Sequence, residues 1–334
     1  MPLPYRLGSN GPEIWYWQAW FDRMYHAYAP PADGYYGDDE VAAVKEMQRR
    51  LGIAQTGVFD QTTANLAGYT PPANLLPIMF TVEGHSSNMF AGPVADTANQ
   101  LESEGLCHHQ PIGYNNVAVP FDNNSGINEL ARLVGANFMD NGVPFPPGTP
   151  WSLGIFSQGA IVGSYFYFNY LQDGQPLAWR RADLRGVLTY GNPCRQTNSI
   201  AAWATSWITK PDTHGLDPYK RFGLPGFPVK PDDWVDVYRE GDIFAENGDD
   251  KASDIRASVY EAVMNDFFSN PYSLAAQIGD LFQTPWQEII GIVIAIISGV
   301  VFLGDTPNPH YSPYDISGGI AWMRGQLTTP PSVV

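Results

Sequence analysis

The chain has 334 residues, a formal net charge of −16, and is 44% hydrophobic, 13% aromatic and 16% charged. That length accommodates a large domain plus a small one with a sizeable core, and 33 Gly with 29 Pro require frequent loops between short elements. The acid excess, with no basic run anywhere, excludes nucleic acid as an expected partner and excludes electrostatic docking to anionic lipid. Two cysteines, Cys107 and Cys194, give neither a disulfide framework nor a zinc ligand set; two buried thiols are favoured and a single disulfide stays open. The start, Met-Pro-Leu-Pro-Tyr-Arg-Leu-Gly, lacks an apolar signal-peptide core, so synthesis in a cytosol with another route of export is expected.

Glu13–Tyr28 reads as an aromatic helix, with Trp17, Trp20, Phe21 and Met24 spaced to form one face. Pro30-Pro31 stops it and Asp33-Gly34-Tyr35-Tyr36-Gly37 is a turn. Asp38 or Asp39 is expected to cap a second helix, Glu40 to Leu51, whose inner face is Val41, Val44, Met47 and Leu51; Gly52 is its expected C-cap. After the turn Thr56-Gly57-Val58-Phe59-Asp60, Asp60 can cap a short third helix, Gln61 to Ala67. The order Asp33-Gly34-x-Tyr36-Gly37, Val44-x-x-Met47-Gln48-x-x-Leu51-Gly52 and Thr56-Gly57-x-Phe59-Asp60-x-x-Thr63 resembles the peptidoglycan-binding domain found at the ends of many wall hydrolases. That resemblance implies a three-helix domain over residues 1–72 and attachment to peptidoglycan. Many of the matching residues are turn and core positions, so a packing domain that binds nothing stays open. Pro71-Pro72 marks a linker.

Residues 73–334 carry apolar runs separated by helical segments. Leu75–Val82 suits a first buried strand ending at Glu83-Gly84-His85. A Pro/Gly-rich approach, Asn137 to Pro150, leads into Trp151–Phe156; Asp183–Tyr190 closes at Gly191-Asn192-Pro193, and Trp234–Tyr238 closes at Arg239-Glu240-Gly241. This alternation predicts an α/β fold with a mainly parallel sheet, whose sites lie beyond the carboxyl ends of the strands. Ile289–Leu303 is the most apolar run; it falls short of the roughly 20 residues that span a bilayer, so a buried helix is favoured over lipid contact and no integral membrane segment is expected.

The chemistry gathers at those strand ends. Ser157 stands between the strand Leu153–Phe156 and a helix-compatible segment, Ala160 to Leu171, as the nucleophile of an elbow would. The usual pattern, Gly-x-Ser-x-Gly, puts glycine two residues before the serine, where this chain has Ile155; a β-branched side chain is expected to crowd the strand against the helix there. Asp242 follows another strand end, in competition with Asp236, Asp249 and Asp250. Of six histidines, His26, His85, His108, His109, His214 and His310, only His310 lies beyond Asp242, as the order serine, acid, histidine requires. The expected roles are Ser157 as nucleophile, His310 as base and then acid, and Asp242 as the orienting carboxylate. The backbone N–H of Gln158, with one from Glu83-Gly84-His85, is expected to bind the oxyanion. Cys107-His108-His109 lacks a second ligand pair for a metal, His85 is a candidate pocket-lining residue, His214 reads as an ordinary loop residue, and neither metal nor cofactor is expected.

The series Gly92-Pro93-x-Ala95-Asp96, Gln110-Pro111-Ile112-Gly113-Tyr114, Phe156-Ser157-Gln158-Gly159, Gly191-Asn192-Pro193-x-Arg195, Gly241-Asp242-Ile243 and Pro307-x-Pro309-His310-Tyr311 resembles the mycobacteriophage lysin B family of cutinase-like serine esterases. The resemblance implies a cutinase-like α/β-hydrolase with a helical insertion at about 250–303. It also implies hydrolysis of the ester joining mycolic acids to arabinogalactan, in the host envelope at lysis. A lipase or cutinase of other substrate range, and a wall-binding protein with a decayed esterase site, stay open beside it. A peptidoglycan hydrolase is argued against by the lack of a metal set or a convincing Cys–His pair.

Overall fold

The computed structural model describes residues 3–71, 75–118, 120–248, 257, 260, 264, 309–310 and 312–328. The expected domain boundary at 72–73, the expected insertion at about 250–303 apart from residues 257, 260 and 264, the run Ile289–Leu303, and Asp249-Asp250 lie outside the described residues.

Residues 3–71 fold around an aromatic cluster of their own. Helix α1 (Pro12–Tyr25) turns Ile14, Trp17, Trp20 and Phe21 onto Tyr5, Tyr36, Phe59 and Tyr69. Helix α2 (Asp38–Arg50) contributes Val44 and Met47, and α3 (Gln61–Ala67) contributes Ala64. The indole of Trp17 lies 5.2 Å, centroid to centroid, from both Tyr36 and Phe59. Two buried glutamines tie the turns to the helices. Gln18 accepts from the Gly34 N–H at 2.8 Å and donates to Asp33, the Tyr35 carbonyl and Glu40. Gln48 accepts from the Gly57 N–H at 2.9 Å and donates to Thr56, the Val58 carbonyl and Thr63. Buried amides of this kind stabilise a turn only when every donor and acceptor is met, which fixes the turn sequences around them.

Three expectations for this unit are corrected. Met24 is 59% exposed, because it sits on the last turn of α1, past the aromatic cluster that covers Trp20 and Phe21. Val41 and Leu51 are half-buried at the edge of the cluster rather than inside it. The cap of α2 is Gly37, not Asp38 or Asp39: the Gly37 N–H donates to the Glu40 carboxylate at 2.7 Å, and both aspartates lie in the first turn, where their charge favours the helix dipole. Asp60 caps α3 as expected, accepting from the Thr63 N–H at 2.8 Å.

The rest of the described chain is built on a five-stranded parallel sheet of order β2-β1-β3-β4-β5. The strands are β1 (Ile78–Val82), β2 (His108–Pro111), β3 (Trp151–Phe156), β4 (Leu184–Tyr190) and β5 (Trp234–Val237). β1, β3 and β4 are apolar runs because helices cover both faces of the sheet. Alternate residues choose the face. Ile78, Phe80, Leu153 and Ile155 pack against α5 (Asn123–Val134) and α6 (Gln158–Tyr170), through Leu130, Val162 and Phe166. Met79 and Leu188 pack the other way, against α4 (Pro93–Ser103) and α7 (Ser317–Thr328), through Val94, Ala98 and Met323. β2 was not expected: its residues, His108-His109-Gln110-Pro111, are half-buried and carry no apolar alternation. Its backbone pairing with β1 supplies what its side chains do not signal. The loop before β3 is held by buried Arg180, which donates to the carbonyls of Val134, Ala136, Phe145 and Pro146. Among the described residues no helix is long and apolar enough to cross a membrane.

Candidate active site

Parallel registration brings the carboxyl ends of the strands to one edge: Val82 pairs with Ile155, and Phe156 with Tyr190, which pairs with Val237. Ser157 is the turn between β3 and α6. Its φ of 57° and ψ of −121° lie where a non-glycine residue is strained, by about 1–3 kcal/mol. Its N–H is held by the Tyr190 carbonyl at 3.1 Å, and α6 begins at the next residue. The strain aims the hydroxyl away from the sheet edge, as a nucleophile elbow does.

His310 receives that hydroxyl. Ser157 Oγ lies 2.7 Å from His310 Nε2, and His310 Nδ1 lies 2.9 Å from both carboxylate oxygens of Asp242. All three side chains are buried. The imidazole is clasped between rings, stacked on Phe156 at 5.2 Å and packed on Phe244 at 4.4 Å. Gly191 permits this approach: a Cβ there would lie 2.5 Å from His310 Cε1. Asp242 also accepts from the Phe244 N–H at 2.9 Å and the Tyr314 phenol at 3.2 Å. Burial pushes this carboxyl upward, but His310 beside it, through charge and hydrogen bonding, together with those donors, outweighs burial and holds it below the usual carboxylate range. A serine, an imidazole and an ionised carboxylate in this sequence can move the hydroxyl proton to nitrogen and stabilise the imidazolium that results.

The other side of Ser157 faces the loop after β1. A Cβ on Gly84 would lie 2.8 Å from Ser157 Cβ, so only glycine brings this backbone so close. Among the described hydrogen bonds neither the Gly84 N–H nor the Gln158 N–H has an acceptor, which leaves two donors beside the hydroxyl. The Glu83 side chain turns inward instead. Its Oε1 accepts from the N–H groups of Val94 and Ala95 at the start of α4, at 3.2 and 2.9 Å, and its carbonyl accepts from the Tyr114 phenol at 2.7 Å. Burial pushes this carboxyl up to about 8, against the pull of the Ala95 and Val94 N–H groups. Among the described residues the opposite oxygen, Oε2, is buried with no hydrogen-bond partner.

A search of the solved structures finds lysin B from Mycobacteriophage D29, at 25% identity with a TM-score of 0.56, covering 74% of this chain and 99% of that one. This chain resembles lysin B. A cutinase-like protein from Cryptococcus sp. (16% identity, TM-score 0.38, 61% of this chain and 94% of that one) and the catalytic core of acetyl xylan esterase from Trichoderma reesei (14%, 0.38, 59% and 96%) also align. Residues 10–66 match the family model described as a putative peptidoglycan binding domain. No curated protein sequence matches the chain. The likeness to lysin B fits the observed α/β architecture with its parallel sheet.

The residues that competed for these places have other partners. Asp236, inside β5, is buried and accepts from Thr189, Asn192 and Ser199. His85 stacks on Phe121, which lines a cavity on the α5–α6 side, at 4.9 Å. His109 bridges Thr81 and Asn99, and His214 meets the Gly215 carbonyl. Cys107 and Cys194 are free, buried thiols. The crowding expected at Ile155 is absent. Ile155 is fully buried and points at Gly163 of α6, where a Cβ would lie 2.7 Å from Ile155 Cγ2. The glycine sits on the helix instead of the strand.

Two supporting residues went unread in the sequence. Tyr314 braces Asp242 from four residues beyond His310. Buried Arg195 donates to the carbonyls of Ala245 and Ser199 and to Thr213, and so anchors the turn that begins at Asp242. Neither belongs to a spacing pattern; only the segment Gly191-Asn192-Pro193-x-Arg195 hinted at the second.

Proposed function

We propose that the protein is a serine esterase that hydrolyses the ester between mycolic acids and arabinogalactan. It would be made in the host cytoplasm and act in a mycobacterial envelope at lysis, held to peptidoglycan by residues 10–66. The observation that carries the chemistry is the buried chain from Ser157 through His310 to Asp242. The resemblance to lysin B of a mycobacteriophage supports the substrate and the setting. The match to a peptidoglycan binding domain supports the attachment.

In this reading His310 Nε2 takes the Ser157 proton as Oγ attacks the ester carbonyl carbon. The N–H groups of Gln158 and Gly84 hold the oxyanion, in place of water that would have to reorient. The imidazolium, stabilised by Asp242, gives its proton to the departing sugar oxygen as the carbon–oxygen bond breaks. Water then enters by the same route, and the acyl-enzyme is cleaved to free acid and regenerated serine. No metal or cofactor is invoked.

The test has two stages. Turnover of a p-nitrophenyl ester should disappear in Ser157→Ala; equal rates in both proteins would end the esterase reading. Incubation with purified mycolyl-arabinogalactan should then release mycolic acid from wild type only. Ester turnover without mycolate release would instead assign the protein to lipolytic esterases of another range.

A further inference from the structure

One cavity adjoins the site and a second lies further along α6. The first, of about 320 Å³, opens beside His310; Phe156, Pro93, Pro313, Tyr314 and Ile316 give it apolar walls, interrupted by Glu83, Ser87, Asp96 and Ser312. The other, of about 400 Å³, has a different character and lies on the α5–α6 side. It falls in the roughly 300–1,000 Å³ range of small-molecule sites. Tyr165, on its wall, stands eight residues along α6 from Ser157, an axial rise of about 12 Å.

The larger cavity offers neutral polar groups and aromatic rings. The side chains of Asn124, Asn169, Tyr219 and Lys220 reach it from exposed positions, and Tyr219 is 61% exposed. Its one carboxylate is already saturated. Asp217 Oδ1 accepts from the N–H groups of Tyr219 and Lys220, and Oδ2 accepts from the phenols of Tyr165 and Tyr260, at 2.6 and 3.1 Å. Burial, with Asp217 and Cys194 nearby, keeps both phenols protonated. The Lys220 ammonium lies 4.7 Å over the Tyr165 ring. One lysine, against a chain of net charge −16, makes a poor anion site.

A further group in this cavity lacks a strong partner. Asn123 is 93% buried and lines the wall. Its Oδ1 accepts from Gln158 Nε2 at 3.1 Å, while among the described residues its own Nδ2 meets only the thioether of Met264, a weak acceptor, at 3.2 Å. The amide therefore has donor capacity to offer a ligand hydroxyl, and its oxygen is hydrogen-bonded to the side chain of Gln158, the residue after Ser157.

We propose that this cavity is a subsite for neutral carbohydrate, holding sugar residues on the alcohol side of the scissile ester. Amides, protonated phenols and an exposed ring are the groups that hydrogen-bond sugar hydroxyls and cover the C–H face of a sugar ring. The assignment to the alcohol side rests on the esterase reading; the affinity for sugar rests on the cavity alone.

The probe is an arabino-oligosaccharide free of mycolate, titrated by calorimetry into Ser157→Ala and into the same protein carrying Tyr219→Ala or Asn124→Ala with Asn169→Ala. The N-terminal domain is identical throughout, so only binding that the variants change counts. Affinity should fall about five- to tenfold in each. In the Ser157 background, the same exposed substitutions should raise KM for mycolyl-arabinogalactan and leave kcat/KM for p-nitrophenyl butyrate unchanged. Equal sugar affinity with and without the substitutions, or no sugar binding at all, would overturn the proposal. So would protection of these residues by decanoate in place of the sugar. Loss of p-nitrophenyl turnover in the parent enzyme, with sugar binding intact, would instead remove the esterase reading and leave the subsite standing.

Discussion

Glu83→Gln should make the stability of the protein less sensitive to alkali. Glu83 is 1% exposed, and burial raises its carboxyl from 4.5 to about 8. Between those values the unfolded chain has lost the proton while the folded chain still holds it. Folding then binds a proton, so stability falls as pH rises through the window, by about 1.4 kcal/mol per pH unit and several kcal/mol in all. Below about pH 4.5 both states hold the proton, and above about 8 both have lost it, so the contribution is flat outside the window. Glutamine keeps an oxygen for the Val94 and Ala95 N–H groups and has no proton to lose. Its NH₂ replaces Oε2 in a partnerless place beside Gly92, a fixed cost of about 1–3 kcal/mol that does not vary with pH. Thermal or urea unfolding of both proteins at intervals from pH 4.5 to 9 isolates the slope, since every other group titrates in both. The wild-type curve should fall relative to the variant between pH 5 and 8 and run parallel to it above. Parallel curves through the whole range would show that the helix N-terminus keeps Glu83 ionised, and the account of a neutral acid behind the Gly84 loop would be wrong.

Gly163→Ala should destabilise by about 1–3 kcal/mol despite better helix propensity, because its Cβ meets Ile155 Cγ2 at 2.7 Å. In an Ile155→Ala background the same substitution should cost much less; denaturant unfolding of the four proteins gives the coupling, and an equal cost in both backgrounds would refute the contact. Asp242→Asn should fold and keep substrate affinity while kcat drops about 10³–10⁴-fold, because Asn lacks the charge that stabilises the imidazolium and its NH₂ can hold His310 Nδ1, now on the carboxylate, in the wrong tautomer. A loss under tenfold would move the orienting role to another acid.

How much of this was legible depended on whether the signal was local. The strands β1, β3 and β4 could be read because burial on both faces makes them continuous apolar runs, and Ser157 could be read because it stands where such a run meets a helix. Asp242 and His310 followed from order along the chain, and they meet in space because a parallel sheet brings Tyr190 and Val237 to the same edge as Phe156. β2 escaped because its pairing is a property of backbone, and His108-His109-Gln110-Pro111 has no apolar face. Met24 misled because helical spacing continues past the point where the core ends. The inward turn of Glu83 had no local signal: its partners, Val94 and Ala95, belong to a helix that begins ten residues later.

Ile155 shows why a spacing pattern can fail where the physics holds. An elbow needs its helix to lie close on the strand that precedes it, and the usual glycine two residues before the serine is one way to remove the obstructing side chain. This chain removes the obstruction from the other partner. Gly159 leaves room for the Val82 carbonyl, which a Cβ would approach to 2.0 Å, and Gly163, one turn further, leaves room for the whole of Ile155. Where α6 approaches the elbow strand most closely it is glycine, at 159 and 163, and the isoleucine occupies the space a strand glycine would have left empty. Because a buried isoleucine adds apolar area that glycine lacks, the exchange keeps the elbow closed while strengthening the core beneath it. The requirement is a fixed gap between two elements, and it constrains the pair Ile155 and Gly163 rather than either position alone.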